Sequence, residues 1–194
     1  MRPAFRLVLL VYLIGFSWIG CDLFTPRTPE NPIGTGGTWA QPDTPEQVVE
    51  NLRNATEERN VQNYLRSLGA GFVFRPSLEA EARDAALWQN WTTTEEETWL
   101  GNLRNAAEPF SGHHLVLSNA NQVILGATQI SYEATYWLTM PHSRTNEGIP
   151  TEAQGRLVWV ISQGTDGLWR LTSWVDRSRN DAPTWSDLKA AFVK

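Results

Sequence analysis

An α+β domain, helices leading and antiparallel strands following, is what this sequence predicts, and three observations predict it. From Thr44 to about residue 107, apolar residues recur at helical spacing behind recognisable caps. From Ile130 onward the period falls to two, in the runs ISYEATYWLTM, RLVWVIS and LWRLTSWVD. The QGTDG segment between the last two centres a turn on Thr165 to Gly167 and makes them an antiparallel pair.

Taken in order, Thr44 is an N-cap, Pro45 suits the first helical position and Gln47 the capping-box position. Val48, Val49, Leu52 and Ala55 then share one helix face. A second short helix is expected from about Val61 to Leu68, turning Tyr64, Leu65 and Leu68 inward, with Gly69 and Gly71 stopping it. Phe72 to Phe74 is a short strand closed by Pro76, and residues 77–92 form a brief helix or an irregular cover. Thr94 followed by Glu95, Glu96 and Glu97 starts a helix, because carboxylates in the first turn favour the positive end of its dipole, and Trp99, Leu100 and Leu103 continue it. Leu115 to Ser118 and Val123 to Leu125 read as strand, and Thr184 caps a last helix carrying Trp185, Leu188, Ala191 and Phe192. The long strands hold bulk on both faces, with Trp137 opposite Tyr132 and Tyr136, which points to helices on one side and a partner or a terminal helix on the other. A homodimer or an envelope partner protein is the expectation drawn from this.

The chain has 194 residues and a formal net charge of −5, with no Lys/Arg cluster, a poor balance for gripping nucleic acid. Before the folded part comes a basic n-region ending at Arg6, an apolar run from Leu7 to Ile19, then Gly20 and Cys21. This resembles the lipobox of bacterial lipoproteins, with Trp18 departing from the usual aliphatic residue. The resemblance implies residues 1–20 as a signal peptide and Cys21 as the lipidated N-terminus. A single cysteine excludes an internal disulfide, and lipid on it would account for a lone thiol in an exported chain. Residues 21–43, rich in proline and glycine, read as a tether, and residues 44–194 as one domain. The expected location is the extracytoplasmic side of the cell membrane or outer membrane, periplasm or cell surface, with the membrane a partner through Cys21.

The opening TPEQVVENLRNATEERNVQNYLRSLGAGFVF and the close LWRLTSWVD, with this element order, resemble the nuclear transport factor 2-like (NTF2-like), or SnoaL-like, superfamily over about residues 44 to 177. The resemblance implies a cone of N-terminal helices packed on a strongly curved antiparallel sheet around a pocket. It also implies an acid-base group within that pocket in those members that are enzymes, while the fold by itself fixes no activity.

Catalytic candidates are Asp176, near the end of the last strand, and His113, since imidazole and a perturbed carboxylate are the usual proton carriers near neutral pH. His113 and His114 are adjacent and would point oppositely in a strand, so a solvated or capping role competes with catalysis. Asp176 could pair with Arg156 across neighbouring strands or form a polar pocket floor. Ten tryptophans exceed ordinary needs; Tyr64, Trp88, Trp99, Tyr132, Tyr136, Trp159 and Trp174, with Arg156, are the pocket candidates, against a plain core or interface reading. No motif for a phosphate loop, nucleophile elbow or zinc site is present, so neither cofactor nor metal is implied. The leading expectation is a lipid-anchored, non-enzymatic domain binding a small apolar ligand or a protein partner; the alternatives are a SnoaL-like pocket enzyme such as an isomerase or hydrolase, and a structural envelope subunit dimerising through its sheet.

Overall fold

The computed structural model describes residues 36–107 and 112–194. The signal peptide, Cys21 and residues 22–35 of the tether lie outside the described residues. Within the body, Thr44 caps α1 (Pro45–Glu57) by accepting the Gln47 amide, and Asn60 caps α2 (Val61–Arg66) in the same manner through Asn63. Strand β1 (Leu68–Arg75) follows at once, then α3 (Leu78–Arg83) and α4 (Ala85–Gln89). Helix α5 (Thr93–Ala106) opens on a capping box in which Thr92 and Glu95 satisfy each other's backbone amides. The long strands are β2 (His114–Gly126), β3 (Gln129–Thr139), β4 (Glu152–Gln163) and β5 (Trp169–Arg177), and α6 (Trp185–Val193) closes the chain on a second capping box, Thr184 with Asp187.

The strands form one sheet in the order β1-β5-β4-β3-β2. Two parts of the expected architecture are corrected here. The sheet is not antiparallel throughout, because β1 lies parallel to β5, pairing Phe74 with Trp174. Nor is it strongly curved. Bulges are what bend a sheet, and the central β3–β4 ladder runs in unbroken register from Gln129↔Ser162 to Thr139↔Glu152. The register shifts sit outside it, in β2, in the β4–β5 pair and in β1.

The shift at Val160/Ile161 has a use: it lets Leu171, then Trp174 and Asp176, all face inward from β5. Inward residues of β3 are Ile130, Tyr132, Ala134, Tyr136 and Leu138, at the strict alternation their sequence announces. Strand β4 begins before Arg156, at Glu152, with Gly155 inside it. A Cβ there would stand 2.6 Å from the Tyr136 hydroxyl and 2.5 Å from the Arg177 carbonyl, so only glycine leaves the tyrosine its place. The opposite face of the sheet leaves Trp137 and Val116 exposed.

The last residues of the expected tether are bonded to the body. Thr38 donates its amide to both carboxylate oxygens of Glu58, the Asn51 side chain bridges both backbone groups of Ala40, and Trp169 donates its amide to the Pro42 carbonyl. Asn63 and Asn60 donate to the Gly36 carbonyl, and the Arg66 guanidinium lies 3.4 Å from the Trp39 ring centroid. Gly37 adopts a left-handed φ of 61°, and a Cβ on it would collide with the Glu58 and Asn60 side chains.

Candidate functional site

Ionisable groups collect where the inner sheet face meets α5 and α6. The Glu95–Glu97 run divides by helical geometry: Glu95 serves the cap, Glu97 faces solvent, and Glu96 points into the interior with no exposure. Its Oε2 accepts from the Tyr64 hydroxyl and the Trp99 indole at 2.8 Å each, and its Oε1 from the Trp91 indole at 2.7 Å and Lys189 Nζ at 2.6 Å. Lys189 is likewise fully buried. Burial lowers its pKa to about 8, against the opposing pull of Glu96.

Beside this pair lies a second buried carboxylate. Asp176 accepts the Tyr136 hydroxyl at 2.8 Å on Oδ1, and the Ser186 amide and hydroxyl at 2.8 and 2.5 Å on Oδ2. Burial raises its pKa despite those bonds. Tyr136 in turn accepts the Trp185 amide at 2.8 Å, so the first turn of α6 is fastened to the sheet through Asp176 and Tyr136. Burial beside Glu96 and Asp176 pushes the Tyr64 and Tyr136 phenols well above their usual range.

Of the sequence candidates, the structure brings Tyr64, Trp88, Trp99, Tyr136, Trp159, Trp174 and Asp176 into one interior. Trp174 meets Phe74, Trp159 and Trp185 edge-on, and Trp88 packs on Trp91 with ring centroids 4.5 Å apart. Tyr132 stacks on Trp159 on the same sheet face. The indole N–H groups of Trp159, Trp174 and Trp185 are buried without a hydrogen-bond acceptor among the described residues. Arg156 stands apart from Asp176, paired with Glu133 at the exposed face. His113 lies away from the cluster, half-buried, its pKa lowered to about 4 by burial and then by Arg59. His114 is exposed, its Nδ1 2.9 Å from the Glu57 carboxylate. No group of three metal-ligating side chains occurs among the described residues.

Sequence reasoning missed Glu96 and Lys189. The signal for Lys189 was its spacing: Trp185, Leu188, Lys189 and Phe192 fall at i, i+3, i+4 and i+7, so a lysine sits within the apolar stripe of α6. Nothing distinguished Glu96 from its neighbours except the phase set by the Thr92 cap.

Trp99, Trp159, Trp174, Trp185, Tyr64, Tyr136 and Lys189 are among the fully buried side chains of the interior. Among the described residues, several hollows open at the surface. One of about 430 Å³ is bounded by Glu79, Arg83, Thr184 and Asp187, at the first turn of α6, whose Ser186 bonds Asp176. Another of about 520 Å³ lies by Arg156, Arg177 and Arg179.

The fold is similar to that of solved NTF2-like structures. A structure from Novosphingobium aromaticivorans, provisionally named an aromatic ring hydroxylase, is similar over 74% of this chain and 92% of that one, at 12% identity and a TM-score of 0.56. A second from that organism, provisionally named a scytalone dehydratase, is similar over 72% and 88%, at 9% identity and a TM-score of 0.52. An NTF2-like protein of Cytophaga hutchinsonii is similar over 69% and 94%, at 11% identity and a TM-score of 0.52. No family model matches the chain, and no curated protein matches it.

Proposed function

We propose that this chain is a SnoaL-like pocket enzyme that moves protons on a small, largely apolar organic molecule, exported and held on a membrane surface by lipid on Cys21. Its working groups are Asp176, Tyr136, Glu96 and Tyr64. One observation carries the reading: two carboxylates and two phenols lie fully or almost fully buried in a single interior, with a lysine beside them. Buried ion pairs stabilise a fold no better than apolar residues of the same volume, so ionisable groups gathered in this number point to chemistry. A carboxyl whose pKa burial has raised, as at Asp176, holds a proton more readily than a free carboxylate, as a general base must. The enzyme names carried by two of the structures that share the fold support the class.

Helix α6 covers these groups. Its release would open the way for a ligand to reach Asp176, which the Ser186 amide and hydroxyl now hold. The hollow at its first turn is where entry begins.

The test is deuterium exchange in D2O at the α-carbon of enolisable cyclic ketones, followed by NMR with the full chain. Acceleration is expected, falling roughly a hundredfold or more in Asp176→Asn and unchanged in His113→Asn. Equal exchange in wild type and Asp176→Asn sinks the enzyme reading. A second reading, binding without turnover, is favoured by the donor already held on every carboxylate oxygen of Asp176 and Glu96. It predicts that a ketone raises the melting temperature with no exchange.

A further inference from the structure

Lysine is among the residues least often fully buried, yet Lys189 Nζ lies 3.6 Å from the Phe74 ring centroid and 3.9 Å from that of Trp174. The Trp99 and Trp91 centroids follow at 5.7 and 5.9 Å. Rings at this range attract a cation through their electron-rich faces, most strongly when water is excluded. Glu96 supplies the counter-charge, and three donors other than Lys189 hold that carboxylate in place: Tyr64, Trp91 and Trp99. The anion is therefore oriented by the site's own walls, and its orientation does not depend on the amine. The cage is built from β1, α5, β5 and the turn ahead of α5, whereas the ammonium arrives from the terminal helix α6.

We propose that Glu96 and these four rings form a binding site for a primary alkylammonium group, and that Lys189 is its occupant in cis. The site selects a cation on an apolar stem, so the ligand class is an organic amine, and α6 is a tethered competitor for it. The inference rests on reading this interior as the ligand-handling centre and adds to it a cation subsite beside Asp176, separate from the place of the ketone.

The experiment uses the full chain carrying Lys189→Ala, which removes the equivalent of n-propylammonium. Thermal unfolding and tryptophan fluorescence are recorded against n-propylammonium, with 1-propanol as the neutral counterpart. A saturable rise in melting temperature is expected with the amine, at a Kd roughly tenfold or more below that for the alcohol, and weakened by adding Glu96→Gln. Lys189→Met, whose side chain fills the stem's space, should show no response to the amine. Equal responses to amine and alcohol overturn the proposal, as does a Lys189→Met response matching that of Lys189→Ala. Should Lys189→Ala fold poorly alone, n-propylammonium added during refolding has to restore the near-ultraviolet circular dichroism, and failure to do so is equally decisive. These readouts involve binding alone, so an absence of catalysed exchange in the wild type would remove the enzyme reading and leave them standing.

Discussion

Glu96 accepts from four side chains and Lys189 is one of them, so the two ends of the buried ion pair are unequal. Replacing Glu96 by alanine leaves an ammonium buried without its counter-charge, and unfolding in denaturant should show a loss of about 3–5 kcal/mol. Lys189→Met leaves the carboxylate with three donors and should cost clearly less in the same measurement. The pH dependence follows from the lowered pKa of Lys189, about 8 in the fold against 10.5 when free. Between those values the unfolded chain holds more protons than the folded one, so stability rises with pH. Denaturant midpoints should climb from about pH 8 toward 10 and stay flat in Lys189→Met. Above that, Tyr64 and Tyr136 reverse the trend, because their raised pKa values keep protons on the fold that the unfolded chain has released. The burial of Lys189 was readable from its place in the α6 stripe. The burial of Glu96 was not, since three successive glutamates offer the same chemistry and only the exact helix phase separates them.

Among the elements, those governed by local rules were legible: the Thr44 and Thr184 caps, the alternation of β3, and the turn joining β4 to β5. The parallel β1–β5 pairing was not, because it joins residues about a hundred positions apart and depends on tertiary contact alone. Gly69 and Gly71 read as helix stops, yet both lie within β1, where a register shift between Leu68 and Val73 absorbs them. Gly155 hid the start of β4 for a related reason: glycine weakens a strand signal, while here it makes room for a ring. Gly155→Ala should therefore push Tyr136 off Asp176 and the Trp185 amide. The expected cost is about 1–3 kcal/mol, with a changed near-ultraviolet tryptophan spectrum. An unaltered spectrum would show that Tyr136 does not depend on that space.

At the scale of the whole molecule, the helices and the inner sheet face enclose the buried cluster, and α6 covers it while bonded to Tyr136, Asp176 and Glu96. Native-state hydrogen exchange should find the α6 amides opening at lower free energy than those of the central β3–β4 ladder. Equal protection of the two would tie α6 to global unfolding and deny it the role of a lid. For the other end of the chain, mass spectrometry of the mature N-terminus should find diacylglycerol on Cys21, and an unmodified cysteine would overturn the anchor. If the anchor holds, the fastening of residues 36–42 to the body acquires a mechanical meaning. The bonds to Gly36, Thr38, Ala40 and Pro42 fall on alternate residues and would give way one after another under a pull from the membrane. Peeling the seven residues 36–42 would lengthen the leash by roughly 23–25 Å at full extension. On that condition the segment would be a reserve of slack, peeled from Gly36 first and ending at the Pro42–Trp169 bond, where traction reaches β5.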